Sequence, residues 1–136
     1  MIKRLSHTGV WVKNQNEALR FYTETLGFEI REDATMDGYR WLTVGLKDQP
    51  ELEYVLSALN PGGFLDEDDV RVLSKLLAAG KLSGGVLKTD DIYTTYEDLK
   101  AKGVEFLIPP TDRPYGVIEA VFKDNSGNWF SLAQDK

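Results

Sequence analysis

Cysteine is absent from this chain of 136 residues, which removes disulfides, thiolate nucleophiles and thiolate zinc sites together. Histidine occurs once, as His7. Positive charge is in the minority, since 16 Lys and Arg against 22 Asp and Glu leave a net charge of -6. Phosphate-backbone binders carry a basic stripe, so no nucleic-acid partner is expected. Long apolar runs are missing too. No stretch approaches the roughly 20 apolar residues of a membrane span, and residues 1–14 hold no apolar signal core. No membrane partner is expected, and the expected compartment is the cytoplasm.

What is present suffices for one compact domain, or for two half-size modules sharing a core, because 42% of the residues are hydrophobic. Residues 5–12 alternate Thr8, Val10 and Val12 with His7, Gly9 and Trp11, which predicts a strand with two differently employed faces. Asn14 with Glu17 forms a capping box, and Ala18, Phe21, Tyr22, Thr25 and Leu26 recur at helical spacing until Gly27 stops them. Strands are predicted over 28–34, 39–46 and 52–58, with turns at Asp37-Gly38 and Asp48-Gln49-Pro50.

Asn60-Pro61-Gly62-Gly63 breaks this pattern. The acidic run 66–69 reads as the negative start of a connecting helix and not as a metal site, because its members are sequential and do not converge. Val70, Leu73, Leu76 and Leu77 give that helix its apolar stripe, and Gly80 ends it. The order then recurs. A strand is predicted over 85–89, then a helix capped at Asp90 or Asp91 with the stripe Ile92, Thr95, Tyr96 and Leu99, then a stop at Gly103. A strand over 105–108 follows, with a break at Pro109-Pro110, and a hairpin of 117–122 and 129–132 turns at Asp124-Asn125-Ser126-Gly127-Asn128. The repeat gives boundaries of 1–59 for a first βαβββ module, 60–83 for the connecting helix and linker, and 84–136 for a second module.

Glu17-Ala18-Leu19-Arg20-Phe21-Tyr22 running into Leu26-Gly27-Phe28, the strand ending Asp90-Asp91-Ile92, and the closing 124–132 segment resemble the vicinal oxygen chelate superfamily. That superfamily holds glyoxalase I, extradiol dioxygenases and bleomycin resistance proteins. The resemblance implies an α+β fold in which paired βαβββ modules form an incomplete barrel around a cleft, and it implies a homodimer. It also implies four metal-ligand positions. His7 matches the first and Glu53 is the best match to the second, whereas Gly84 falls at the third and Ser131 at the fourth. Glyoxalase-type isomerisation needs a divalent metal chelating two substrate oxygens, and a serine cannot replace a carboxylate as ligand and proton acceptor.

Strand alternation sends Val10, Val12, Leu42, Val44, Leu87, Phe130 and Leu132 toward the helices, and the opposite residues toward a cleft. The ligand-binding set expected there is His7, Trp11, Tyr39, Trp41, Glu53, Arg113, Tyr115, Glu119, Trp129 and Ser131. Aromatic rings with a few convergent polar groups are what small-molecule pockets are made of. The expected function is therefore binding of a small aromatic or cationic compound, akin to the sequestration practised by bleomycin resistance proteins, with no cofactor. Two alternatives stand beside it. One is a metal-dependent lyase or dioxygenase with His7, Glu53 and Glu119 as a reduced ligand set for a hard divalent metal; the other is a dimeric interaction protein without a ligand.

Overall fold

A computed structural model describes all 136 residues. The chain divides into two compact units, Met1–Leu76 and Leu77–Lys136. Each is built around one four-stranded mixed sheet.

In the first unit β1 (His7–Val12) is followed by α1 (Gln15–Arg20), a π-helical turn (Phe21–Thr25), β2 (Glu29–Met36), β3 (Tyr39–Gly45) and β4 (Glu53–Ala58). The strands lie in the order β1-β4-β3-β2, with β1 parallel to β4 and the other neighbours antiparallel. Asn14 adopts extended dihedrals and its side chain accepts from the Glu17 amide, so the expected N-cap is in place. The helix expected to run on to Leu26 instead widens in its last turn, where the Leu26 amide donates to the Phe21 carbonyl at 3.1 Å. Thr23 adds a bond within the same turn. Its hydroxyl donates to the Leu19 carbonyl at 2.7 Å, a side-chain bond that competes with the regular helical ladder. The wide turn places Tyr22 out of solvent, edge-on to Phe28 at 5.5 Å and tilted against Tyr54 at 6.0 Å. Val10, Val12, Ala18, Leu42, Val44 and Leu56 complete this core. Burying each large side chain contributes about 1.5–3 kcal/mol.

Helix α2 (Glu67–Ala78) opens on a reciprocal cap, in which the Asp66 side chain accepts from the Asp69 amide at 2.8 Å and the Asp69 side chain from the Asp66 amide at 3.0 Å. The acidic run therefore works as a cap. Of the apolar stripe foreseen on this helix only Leu77 is buried, and Leu76 is exposed.

The second unit repeats the plan with β5 (Ser83–Lys88), α3 (Ile92–Ala101), β6 (Phe106–Asp112), β7 (Val117–Lys123) and β8 (Trp129–Asp135), ordered β5-β8-β7-β6. Asp91, rather than Asp90, caps α3 by accepting from the Thr94 amide. Ile92, Leu99, Val104, Ala120, Phe122, Phe130 and Leu132 form the core, with Phe122 and Phe130 stacked at 5.4 Å.

Pro109-Pro110 does not end β6, contrary to the sequence expectation. The strand passes through both prolines, which fall in the interval where the pairing with β7 shifts register between Ile108 and Thr111. Proline lacks the amide a ladder needs, and β6 is an edge strand with one unpaired side, so bulges and edge placement together absorb the defect.

Candidate functional site

In the first unit the residues opposite the core share one face of the sheet. His7 pairs with Glu53, Gly9 with Val55 and Trp11 with Ser57 in the parallel ladder, and Val55 in turn pairs with Thr43. Directly paired residues point to the same side, so these side chains, with Trp41 and Tyr39 further along β3, form a continuous surface. Gly9 shapes it. A Cβ at Gly9 would stand 2.1 Å from the Val55 carbonyl oxygen, so only glycine fits, and its bareness lowers the floor between His7 and Trp11. The resulting groove has a volume of about 360 Å³ and is lined by His7, Thr8, Gly9, Val10, Trp11, Val55 and Ser57.

One end of the groove is polar. Nε2 of His7 lies 3.6 Å from Oε2 of Glu53, its Nδ1 lies 2.9 Å from the Ser6 hydroxyl, and its ring rests 5.7 Å from that of Trp41. The Thr43 hydroxyl donates to Oε1 of Glu53 at 2.6 Å. That bond first, with lesser contributions from His7, Glu32 and Arg31, holds the Glu53 carboxyl below its ordinary value against the opposing effect of desolvation.

Glu32 completes the cluster. Ligand atoms of His7, Glu32 and Glu53 all lie within 4.8 Å of one another. Plain alternation would put Glu32 on the same face as Ile30, which pairs with the core residue Val44. A bulge at Arg31 intervenes, and Glu32 pairs instead with Thr43. The omission of Glu32 from the sequence-derived set thus has a cause, because the signal that mattered was a bulge that alternation does not reveal. One imidazole with two carboxylates suits a hard or borderline divalent cation such as Mn²⁺ better than zinc or nickel.

In the second unit β7 and β8 carry Glu119, Val121, Trp129 and Ser131 on the sheet face away from the core. Ser131 donates to Oε2 of Glu119 at 2.6 Å, while Tyr115 and Arg113 donate to Oε1 at 3.2 and 3.3 Å. The serine bond is the largest cause of a Glu119 pKa below the ordinary 4.5, with desolvation opposing it and Tyr115 and Arg113 assisting. Glu119, foreseen as a third metal ligand beside His7 and Glu53, is engaged by donors of the second unit, while in the first unit Glu32 stands beside His7 and Glu53. Lys88, on β5 of the same sheet, pairs with Asp135.

Ser131 and Gly84, at the positions where the family resemblance implies two ligands, are otherwise employed. Ser131 serves Glu119, and a Cβ on Gly84 would meet the Phe130 ring at 2.2 Å, so that position accepts no side chain.

Comparison with known proteins agrees with this architecture. UcmS2, a solved structure, is 47% identical with a TM-score of 0.92, and the match covers 99% of this chain and 100% of that one. TnmS3 from Streptomyces sp. CB03234, described as an antibiotic-binding protein, is 30% identical with a TM-score of 0.77 over 99% of this chain and 98% of that one. YurT of Bacillus subtilis (strain 168), an uncharacterized protein, is 36% identical over 127 residues, 93% of this chain and 95% of YurT. The profile of one superfamily matches residues 4–132, nearly the full length of both units. The chain belongs to the Glyoxalase/Bleomycin resistance protein/Dioxygenase superfamily.

Proposed function

We propose that this protein binds a small planar aromatic compound, preferably a cationic one, and holds it without turning it over. The observation that carries the reading is the groove floored by Gly9 and Val55 and walled by His7 and Trp11, at about 360 Å³. Its volume lies near the lower end of ligand pockets. A flat floor between two rings accepts a flat ligand, and an indole wall attracts a cation through its ring face. Glu32 and Glu53 at the polar end add negative charge. TnmS3, which binds an antibiotic, supports the same class of role. The reading keeps the homodimer and the cytoplasmic location expected from the sequence, the former open to sedimentation equilibrium.

Calorimetric titration with 9-aminoacridine, a planar tricyclic cation, tests it. Binding in the micromolar range is expected, with the compound recovered chemically unchanged and with affinity reduced about tenfold by Trp11→Ala, the loss of one stacking wall. Absence of binding, or conversion of the compound, would sink the reading.

The cluster of His7, Glu32 and Glu53 favours a second reading, a metal-dependent lyase or dioxygenase. These residues would hold the cation, and a bound divalent metal would act as a Lewis acid toward a chelating substrate. Electron paramagnetic resonance of Mn²⁺ reads the site without an activity assay. This reading expects stoichiometric binding that both His7→Ala and Glu32→Gln weaken; free Mn²⁺ signal at full strength in the wild type excludes it.

A further inference from the structure

The second unit carries a group whose hydrogen-bonding capacity its own chain does not use. Arg113 is half-buried, with 29% of its side chain exposed, and it bonds Glu119 through Nε alone. Its two terminal nitrogens have no partner within the chain, although guanidinium donors in partly desolvated places are ordinarily engaged. Glu119, by contrast, is well engaged, because Ser131, Tyr115 and Arg113 all donate to it. With a guanidinium and two hydroxyls already donating to it, this carboxylate offers a cation little further gain. Its role is to fix the guanidinium.

We propose that Arg113, positioned by Glu119, forms a ligand site for an acceptor oxygen, of which an aromatic carboxylate is the fitting class. Two parallel N–H bonds from the outer edge of a guanidinium match the two oxygens of a carboxylate, a geometry that a lysine cannot offer. The charges nearby do not repel such a group. Arg113 is balanced by Glu119, and Lys136, which donates to the Arg113 carbonyl, is paired with Asp112. An apolar ring also has somewhere to rest. Val86 and Val121 flank Ser131 on the neighbouring strands of the same sheet face, and Val86 is 63% exposed. This site shares the premise that the protein is a small-molecule binder, yet it uses no residue of the first-unit groove and favours the opposite ligand polarity.

Calorimetry with 2-naphthoate and its neutral analogue 2-naphthylmethanol tests the site. The wild type is expected to bind 2-naphthoate about tenfold more tightly, the scale of one charge-assisted bidentate contact. Arg113→Gln should level the two affinities, and Arg113→Lys, which keeps the charge and loses the fork, should restore only a small part of the preference. Thermal melts establish that the variants fold. If Arg113→Gln does not, Tyr115→Phe, which removes one of the bonds fixing Glu119, should lower the preference severalfold. Equal binding of the two probes by the wild type, or a preference that survives Arg113→Gln in folded protein, overturns the proposal, as does a lack of any 2-naphthoate binding. Failure of 9-aminoacridine to bind while the 2-naphthoate preference stands would defeat the groove reading alone; the reverse pattern would defeat this site alone.

Discussion

Glu53 and Glu119 meet the same requirement in opposite ways. Each accepts a hydroxyl proton at 2.6 Å from the adjacent antiparallel strand, but the carboxylate stands on β4 with its Thr43 donor on β3, and on β7 with its Ser131 donor on β8. Both carboxyls are held below the ordinary value of 4.5. For a group with a depressed folded pKa, the stabilisation is fully present above the unfolded value and is lost as pH falls through the folded one. Glu119→Gln should therefore cost stability at pH 7 while flattening the decline that the wild type shows once pH drops below about 4.5. Urea midpoints measured from neutral to acid pH read this, and parallel curves for the two proteins would mean that Glu119 does not couple to folding. The sequence placed Glu119 on an outward sheet face, because alternation speaks to that. It missed the bonds to Thr43 and Ser131, which run diagonally across strands, since diagonal reach depends on a register fixed only when the sheet forms.

The β7–β8 hairpin shows how one side chain can set an element. Oδ1 of Asp124 accepts from the amides of Ser126, Gly127 and Asn128, each at 2.9 Å, and Oδ2 accepts from the Asn128 side chain. Asp124, Ser126 and Asn128 are all buried. Asp124→Ala would leave three backbone amides and one side-chain amide without that acceptor, and each stranded buried donor costs about 1–3 kcal/mol. A loss of about 3 kcal/mol or more in denaturant unfolding is expected, with Asp124→Asn intermediate, as neutral hydrogen bonds are weaker than charge-assisted ones. A loss under about 0.5 kcal/mol would show that the turn holds without the carboxylate. This hairpin was legible from its turn residues, as were the Asn14 cap and the glycine stops, because those signals act over a few neighbours. The π-helical turn, the strand through Pro109-Pro110 and the bulge at Arg31 were not. Each is a local irregularity that pairing or packing elsewhere in its unit sustains, and the last of them concealed Glu32.

At the scale of the whole chain, composition and element order carried the family, whereas the proposed preference for a cationic ligand rests on charge that the fold redistributes. The net charge is -6, yet the carboxylates are not equally available: Glu119 is engaged by three donors, Asp33 by Arg40 in a two-pronged pair at 2.9 Å, and Glu32 and Glu53 stand beside His7, which lines the first-unit groove. A positively charged ring approaching that groove should feel both this local charge and the field of the chain. Fields of this kind extend about 10 Å at 0.1 M ionic strength and contract to about 3 Å at 1 M. The affinity for 9-aminoacridine should therefore fall several-fold as sodium chloride rises from about 0.02 to about 0.5 M, while the neutral 9-anthracenemethanol, of similar shape, should bind with little change. Calorimetric titrations of both compounds across that range measure the difference. Identical salt dependence for the two would mean that stacking on Trp11 and the Gly9 floor decides binding, and that the acidic cluster contributes nothing to it.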